Sequence, residues 1–488
     1  MAVRNGQQFL AGLKDDRVVY LGDRKVDTLS EPRFQGSLKG MAEYFDYQIE
    51  HAADCLVDDP QKPGEKMSAS LIVPRSKQDL AIRHKALDRF ARYSYGMLGR
   101  TPDYVNVVLS GHVARRDIWE KGDTVYHDRL TAFHREVIDG DLSLTHAIAH
   151  ANIDKSTGDL AGMNADLTVH KVGQTENGII VRGGKMLATL GPFTDEFYVY
   201  PSAPIPTGAE RHALCFSVPS NTKGLTMFCR DHYGTNENRA DAPFSSRFDE
   251  QDVFVVFDDV EVPYERLFID GNLDVYNNVT RGVSPGNTQQ QTAIRALVKL
   301  EFAYDLCTLM ARITGSEQRQ DVAAMLGEIH TYMMMTKAAI TAAEARAHEW
   351  GTSGAFFLHG DIAVLRSIMP EWMSRVNQII RALGSHNMLA TPSLDLFNDP
   401  QVGDMLRQYL PGANGYTAEQ RAAVFRTARD FAISSLGGRI ELYEMFYLGS
   451  LNRARAGDHM VAQRNGWKGE VMEFLEKNGA FLKAREPA

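Results

Sequence analysis

Hydrophobic residues follow three different spacings along the chain, and the first spacing is helical. Residues 1–145 are predicted to be mostly helical. Between Asp79 and Tyr95 the apolar positions recur as on one helix face: Leu80, Ala81, Leu87, Phe90 and Ala91. Ser76 precedes this segment and is predicted to cap it. A further helix is predicted over residues 121–134.

The pattern changes between about residues 146 and 270, where Gly and Pro become frequent and short apolar runs alternate with turns. Strands are predicted over residues 178–183, 196–201, 212–218 and 253–257, with an exit strand over 258–263. Short strands at this spacing indicate a small β-barrel or a β-sandwich.

Helical spacing returns from about residue 275 and dominates the rest of the chain. One face of a long segment carries Ala293, Leu297, Leu300 and Tyr304. Further helices are predicted over residues 323–350, over 362–383 with an interruption at Pro370, and over 418–435. Antiparallel packing into a bundle is the simplest arrangement for these helices.

These spacings divide the chain into an N-terminal helical domain (1–145), a central β domain (146–272) and a C-terminal helical bundle with a tail (273–488). The order helical, β, helical is unusual. Because ligand pockets favour domain junctions, we expect a ligand buried where the β domain meets the helices.

Composition narrows the function classes. The 488 residues are 44% hydrophobic and 24% charged, as in soluble globular proteins, and the net charge of -9 argues against a nucleic-acid or membrane partner. No apolar run approaches the roughly 18 to 20 residues of a membrane span, and residues 1–24 do not resemble a signal peptide. The four cysteines are far apart, which predicts reduced thiols, a cytoplasmic location and no metal site.

Residues 99–106 read Gly-Arg-Thr-Pro-Asp-Tyr-Val-Asn and form the first candidate site. Pro102 excludes a helix interior at its position and directs Thr101 towards extended geometry. Arg100 is a permanent cation with five donors, and Tyr104 is a phenol that donates or accepts. This pair is suited to hold an anionic or phenolic oxygen.

Two further candidates lie near the start of the β domain. His146 and His150 are four residues apart, but no Glu or third ligand accompanies them, so a metal site is not predicted. A histidine here is suited to handle a proton or to donate to a phenolate. Thr189 follows small residues and precedes a Gly-Pro turn, so its hydroxyl is suited to bond a heterocycle.

Residues 437–450 form the last candidate. Gly437 and Gly438 follow a predicted helix, which favours backbone amides that face a phosphate, and Arg439 is suited to pair with a pyrophosphate. The segment is neither a GxGxxG fingerprint nor a P-loop, so a nicotinamide dehydrogenase is not predicted.

Five segments in this order resemble one family: GRTPDYVN at 99–106, LTHA at 144–147, GKMLAT at 184–189, RFDE at 247–250 with FDDVEVP at 257–263, and GGRIELYE at 437–444. They resemble the oxygenase component of two-component, FADH2-dependent 4-hydroxyphenylacetate 3-monooxygenases, a family that includes chlorophenol monooxygenases. The resemblance implies an acyl-CoA-dehydrogenase-like fold with an N-terminal, mostly α part, a central β-barrel and a C-terminal four-helix bundle.

The resemblance also implies the activity. A separate NAD(P)H:flavin reductase would supply FADH2, a flavin C4a-hydroperoxide would form with O2, and a phenolic substrate would be hydroxylated. The family is commonly homotetrameric. The particular phenol, the ring position, the reductase and the use of FMNH2 stay open.

Residue roles follow by the same resemblance. Arg100, Tyr104 and His146 would hold the phenolic oxygen and act in catalysis, while Ser202 and Ala203 would line the substrate pocket. The residues implied to contact FAD are His146, Asn152, Asp154, Lys155, Thr189, Leu448, Gly449, Ser450 and Leu451, with Arg439 added by its suitability for a pyrophosphate.

The chain departs from the family at several positions. Residues 150–155 read His-Ala-Asn-Ile-Asp-Lys where Asn-Pro-Gln-Val-Asp-Arg is usual, and Lys155 lacks the planar fork of Arg. Ala203 replaces a polar residue, so the far end of the substrate is expected to differ. Residues 289–291 lack the histidine base of some chlorophenol enzymes, which argues against dehalogenation.

Three alternatives are set beside phenol hydroxylation. One is N-hydroxylation or heterocycle oxidation by the same fold in a biosynthetic pathway, which the changed residues Asn152 and Lys155 motivate. Another is a non-catalytic helical binding protein. The third is the related 4-hydroxybutyryl-CoA dehydratase, whose iron–sulfur cluster is held by Cys and His; Gly99 and Asp103 near the cluster-cysteine region, with Cys307 isolated, argue against it.

Overall fold

The computed structural model describes residues 3–466 and 469–479. Within them the α-helices are α1 Gly6–Gly12, α2 Gln35–Glu50, α3 Ala52–Cys55, α4 Lys77–Ser94, α5 Pro102–Ala114, α6 Arg116–Trp119, α7 Thr124–Gly140, α8 Asn164–Leu167, α9 Leu273–Gly282, α10 Thr288–Ile313, α11 Gln320–Ala345, α12 Met369–Gly384, α13 Asn387–Ala390, α14 Gly403–Tyr409, α15 Ala418–Ala432, α16 Ser435–Phe446, α17 Leu451–Arg464 and α18 Glu470–Lys477.

The strands in the same residues are β1 Val18–Leu21, β2 Arg24–Val26, β3 Leu56–Asp58, β4 Lys66–Ser68, β5 Leu144–His146, β6 His170–Gln174, β7 Gly178–Thr189, β8 Glu196–Val199, β9 Leu214–Pro219, β10 Leu225–Cys229, β11 Asp252–Pro263, β12 Leu267–Asp270, β13 His348–Trp350 and β14 Ala355–Phe357. Short 3-10 helices span Pro32–Phe34, Ala69–Leu71, Gly191–Phe193, Glu210–His212, Tyr264–Arg266, Gly360–Ser367 and Leu394–Asn398.

Two N-terminal helices, α4 and α7, agree with the hydrophobic spacing. The predicted cap of α4 is confirmed, because the Asp79 amide donates to Ser76 Oγ at 3.2 Å. The helix predicted over 121–134 is α7, which begins after the N-cap Asp123 and continues to Gly140.

Helix α5 was not predicted as such. Pro102 stands in its first turn, where a missing amide hydrogen costs no helical hydrogen bond. Every residue of α5 is buried, so the helix has no polar face from which periodicity could identify it. Its burial carries Tyr104 into the interior.

Two open sheets replace the predicted barrel. One has the order β2-β1-β10-β11-β7-β6 and the other β12-β9-β8-β5, and each ends in edge strands. The two sheets contact each other where the ring centroids of Phe216 on β9 and Phe257 on β11 lie 5.8 Å apart. A closed central barrel is therefore wrong for the described residues.

Four of the described strands, β7, β8, β9 and β11, were predicted, and two of the predicted runs merge into one strand. The runs predicted over 253–257 and 258–263 form the single strand β11. The register of β11 against β7 shifts between Phe257 and Val260, where Asp259 has a φ of 52°. The bulge explains why the apolar alternation is interrupted there.

The C-terminal helices pack around α10, which contacts α4, α5, α11, α12 and α15. The helix predicted over 323–350 ends at Ala345, and the last residues form β13 instead. Pro370 does not interrupt a helix; it lies in the first turn of α12, after the 3-10 helix Gly360–Ser367. The helix predicted from residue 418 is α15, with a capping box at Thr417.

Among the described helices, none combines the length and the apolar character that crossing a bilayer requires.

Candidate active site

A cavity of about 920 Å3 lies where β7, β10 and β11 face α16. Its walls combine apolar rings with buried charges. The lining residues include Arg100, His146, Phe228, Arg230, Asp252, Phe254, Arg439, Tyr443 and Tyr447. The cavity thus joins segments from all three predicted parts of the chain.

Arg100 is 6% exposed and lies between aromatic rings. Its Cζ is 3.7 Å from the ring centroid of Tyr104 and 4.3 Å from that of Tyr447. Its Nη2 donates to the Tyr447 carbonyl at 3.3 Å, whereas Nε and Nη1 are buried and find no partner among the described residues. Buried guanidinium donors without acceptors point to an anionic or phenolic oxygen as the missing partner.

His146 ends strand β5 and lines the same cavity. Burial and then the charge of Arg100 hold the pKa of His146 well below its usual value, so the ring is neutral near pH 7. Its Nδ1 is buried with no hydrogen-bond partner in the described part of the chain. The ring lies 5.9 Å from that of Tyr104, so the predicted trio is brought together.

Three tyrosines near Arg100, namely Tyr200, Tyr443 and Tyr447, were not assigned roles from the sequence. The hydroxyls of Tyr200 and Tyr443 are buried, and neither has a hydrogen-bond partner within the described ranges. Arg439, Tyr443 and Tyr447 are spaced four apart, which is the signal that places them on one face of a helix. That spacing could have identified Tyr443 as a wall of the site.

Thr189 lies at the end of β7, and its hydroxyl donates to Asp252 Oδ1 at 2.9 Å. Arg439 donates to both oxygens of the same carboxylate, with Nε at 2.9 Å and Nη2 at 2.6 Å. Burial raises the pKa of Asp252, but the charges and hydrogen bonds of Arg439 and Arg230 together keep the pKa below its ordinary value. Arg439 is therefore engaged in protein ion pairs.

The glycines before Arg439 also differ from expectation. Gly437 and Gly438 lie inside the first turn of α16 and do not end the preceding helix, which stops at Ala432. The Gly437 amide donates to Ser434 Oγ at 2.9 Å, and the Gly438 amide donates to the Ser434 carbonyl. Both amides are used by the helix, so the predicted phosphate cradle is wrong.

Thr189 is fully buried and is not among the residues that line the cavity, and the remaining predicted residues also lie away from its walls. Ser202 is exposed, and Ala203 is half-buried beside it. Asn152, Asp154 and Lys155 belong to a loop held by Asn164, whose Oδ1 accepts the Asp154 amide at 2.9 Å. In this chain the loop is thus organised by internal bonds.

The segment 448–451 borders a second cavity of about 550 Å3, which Ser450 and Leu451 line. Leu448 is buried, and Gly449 has a φ of 90°. Phe446 lines both cavities, so the second cavity adjoins the first through α16.

Comparison with known proteins places this geometry in context. Residues 5–269 match the family model described as 4-hydroxyphenylacetate 3-hydroxylase N terminal, and residues 284–476 match the corresponding C terminal. The chain is 31% identical over 479 residues to the 4-hydroxyphenylacetate 3-monooxygenase oxygenase component of Thermus thermophilus, covering 97% of this chain and 98% of that protein.

Solved structures agree with the sequence comparison. The fold matches an oxygenase component of 4-hydroxyphenylacetate 3-monooxygenase complexed with FAD and 4-hydroxyphenylacetate, with a TM-score of 0.91 and 30% identity over 97% of this chain and 99% of that chain. An archaeal 4-hydroxybutyryl-CoA dehydratase from N. maritimus shares the fold at a TM-score of 0.84 and 18% identity, over 100% of this chain and 97% of that one. The resemblance predicted from the five ordered segments is confirmed, and the chain belongs to the 4-hydroxyphenylacetate 3-hydroxylase family.

Proposed function

We propose that this chain is the oxygenase component of a two-component monooxygenase that uses FADH2 and O2 to hydroxylate a phenol. One observation carries the proposal: unpartnered polar atoms of Arg100, His146 and Tyr443 belong to residues that line one cavity. Family membership supports the same reaction class.

Arg100 and His146 are proposed to bind the phenolic oxygen. The cation favours the phenolate over the phenol, and a phenolate has a more electron-rich ring. Because His146 is neutral, it offers one nitrogen as a donor and the other as an acceptor, so it can hold or pass the phenolic proton. Tyr104 packs against the guanidinium and limits its movement.

The cavity suits a flavin ring as well as a phenol. Its walls include Phe228 and Phe254, and its volume of about 920 Å3 is within the range of cofactor pockets. Bound FADH2 supplies two electrons and activates O2, so that one oxygen atom enters the substrate ring and the other leaves as water. Thr189 is proposed to contact the isoalloxazine ring.

The rest of the proposed flavin site comes from the family resemblance. Residues 152–155 and 448–451 are proposed to hold the remainder of FAD. A separate NAD(P)H:flavin reductase is proposed to deliver the reduced cofactor. A dry cavity around it would limit loss of its oxidising equivalents as peroxide.

The finer architecture is also proposed by resemblance. The three domains 1–145, 146–272 and 273–488 would follow an acyl-CoA-dehydrogenase-like arrangement, with the two sheets in place of a barrel. A four-helix bundle is supported by the packing of α10 against α11, α12 and α15.

A homotetramer is proposed for the assembled enzyme. The exposed apolar side chains of Leu442, Phe446 and Phe474 support buried contacts between copies. The four free cysteines are consistent with work in a reducing cytoplasm.

A direct assay tests the function. The purified chain is incubated under air with FAD, NADH, a flavin reductase and a panel of phenols, and products are identified by mass spectrometry. We expect at least one phenol to gain one oxygen on a ring carbon. Release of all reducing equivalents as peroxide with every phenol would contradict the proposal, and oxygen gained at nitrogen would favour the N-hydroxylating alternative.

A further inference from the structure

The segment 247–250 (RFDE) is part of the family resemblance, and its acidic residue Glu250 lies beside the candidate site. Glu250 is fully buried, and its Oε1 accepts two successive backbone amides, from Gly99 at 2.8 Å and from Arg100 at 2.6 Å. These amides belong to the segment that carries the proposed phenol-binding cation. Glu250 therefore holds the backbone of Arg100 directly.

The other carboxylate oxygen of Glu250 connects, through Arg439 and Asp252, to Thr189. Oε2 pairs with Arg439 Nη1 at 3.1 Å, and the same guanidinium holds Asp252. Asp252 accepts the hydroxyl of Thr189, the proposed flavin contact. One buried arginine thus links the anchor of Arg100 to the anchor of Thr189.

Arg230 also belongs to this network. It donates to the backbone carbonyl of Glu250 at 3.2 Å but forms no ion pair with the Glu250 carboxylate. It pairs with Asp252 at 2.9 Å and with Asp249 at 2.5 Å. The carboxylates Asp249, Glu250 and Asp252 are therefore held by two planar guanidinium groups.

We propose that Glu250 and Arg439 are positioning residues that set the separation between the phenol-binding Arg100 and the flavin-side Thr189. The inference rests on the proposed function, because it takes those two residues as the substrate and cofactor contacts. Placement to within an ångström matters here, since a misplacement of about 1 Å can cost on the order of a hundredfold in rate. Fixed ion pairs between buried groups give such placement at no cost during turnover.

Two variants test this proposal, with a matched control. Glu250→Gln keeps the size and one acceptor for the amides but removes the charge that pairs with Arg439. Arg439→Lys keeps a cation but loses the fork between Glu250 and Asp252. Asp430→Asn is the control, because Asp430 is also buried and also accepts two successive amides, from Phe244 at 2.7 Å and Ser245 at 3.0 Å, but is not among the residues that line the cavity.

Three measurements separate positioning from general stability. The first is the dissociation constant of 4-nitrophenol without flavin, followed by its visible phenolate absorbance. The second is the ratio of hydroxylated product to FADH2 oxidised, and the third is the thermal midpoint. For Glu250→Gln and Arg439→Lys we expect about tenfold weaker 4-nitrophenol binding and a lower product ratio.

Asp430→Asn is expected to lower the thermal midpoint while keeping 4-nitrophenol binding and the product ratio of the wild type. Binding within about twofold of the wild type for both test variants, or an equal loss of binding in the control, would overturn the positioning role. If the wild type hydroxylates no phenol, the proposed function fails, whereas the 4-nitrophenol comparison still decides whether Glu250 and Arg439 position Arg100.

Discussion

At the scale of single residues, the site depends on how Arg100 is enclosed. Its charge is buried against the rings of Tyr104 and Tyr447, and two of its nitrogens lack acceptors among the described residues. Burying a cation costs free energy unless its remaining N–H groups find hydrogen-bond acceptors, which a bound ligand can supply. We therefore expect substrate binding to be the step that Arg100 controls.

Removing this cation should uncouple the enzyme. Arg100→Ala is expected to lower kcat/KM for the phenol by about a hundredfold or more, because a donor aimed at the developing charge is lost. Tyr104→Phe is also expected to reduce hydroxylation. In both variants FADH2 should still be oxidised, with peroxide as the product, which is measured beside the hydroxylated phenol.

The matched control is Tyr93→Phe. Tyr93 is a half-buried phenol whose hydroxyl donates to the Gly40 carbonyl at 2.6 Å, and it is not part of the cavity wall. Its loss should leave the product ratio unchanged. Normal hydroxylation by Arg100→Ala and Tyr104→Phe would mean that residues 99–106 are scaffold.

At the scale of secondary structure, two helix starts determine the site. Pro102 begins α5 and so orients Tyr104, while Ser434 caps α16 and so orients Arg439 and Tyr443. Helix α16 begins close to the end of α15, because Gly437 allows near contact with the Phe431 carbonyl. A Cβ at Gly437 would lie only 2.7 Å from that oxygen.

Gly437→Ala is therefore expected to destabilise the protein by about 1–3 kcal/mol, as overpacking does. Urea unfolding measures the change. Gly457→Ala in α17 is the comparison, since a Cβ there meets nothing within 4 Å, and alanine should stabilise that helix by up to about 1 kcal/mol. Equal effects at the two positions would show that backbone contact at Gly437 does not matter.

At the scale of the whole molecule, the helical parts and the sheets are joined by buried polar contacts. His112 on α5 lies with its Nδ1 2.7 Å from the hydroxyl of Tyr198 on β8. Burial lowers the pKa of His112 to about 3. The folded protein therefore keeps this ring neutral at a pH where the unfolded chain, with a pKa near 6.5, is protonated.

This difference predicts a loss of stability in acid. Between pH 6.5 and about 3 the unfolded state binds one more proton at His112, so stability falls as the pH falls through that range. His112→Asn should make the pH dependence shallower by about 1.4 kcal/mol per pH unit, as measured by urea unfolding between pH 6 and 4. His459→Asn, at an exposed position, should leave the dependence of the wild type unchanged.

Much of this molecule was determined by the sequence alone. Local periodicity predicted α4, α7, α15 and the strands β7, β8, β9 and β11, and the chemistry of Ser76 predicted a cap, because these features depend on residues close together in the chain. The five ordered segments predicted the family. Arg100, Tyr104 and His146 were predicted as a group, and the fold brings them together.

Only the tertiary structure decided how distant side chains pair. Arg439 meets Asp252, 187 positions away, and Glu250 meets the Arg100 amide, 150 positions away. No local pattern contains such a pairing, so Arg439 was predicted as a phosphate ligand and Glu250 had no role. The open sheets and the fully buried α5 were missed for the same reason: strand closure and burial on all sides depend on packing between segments.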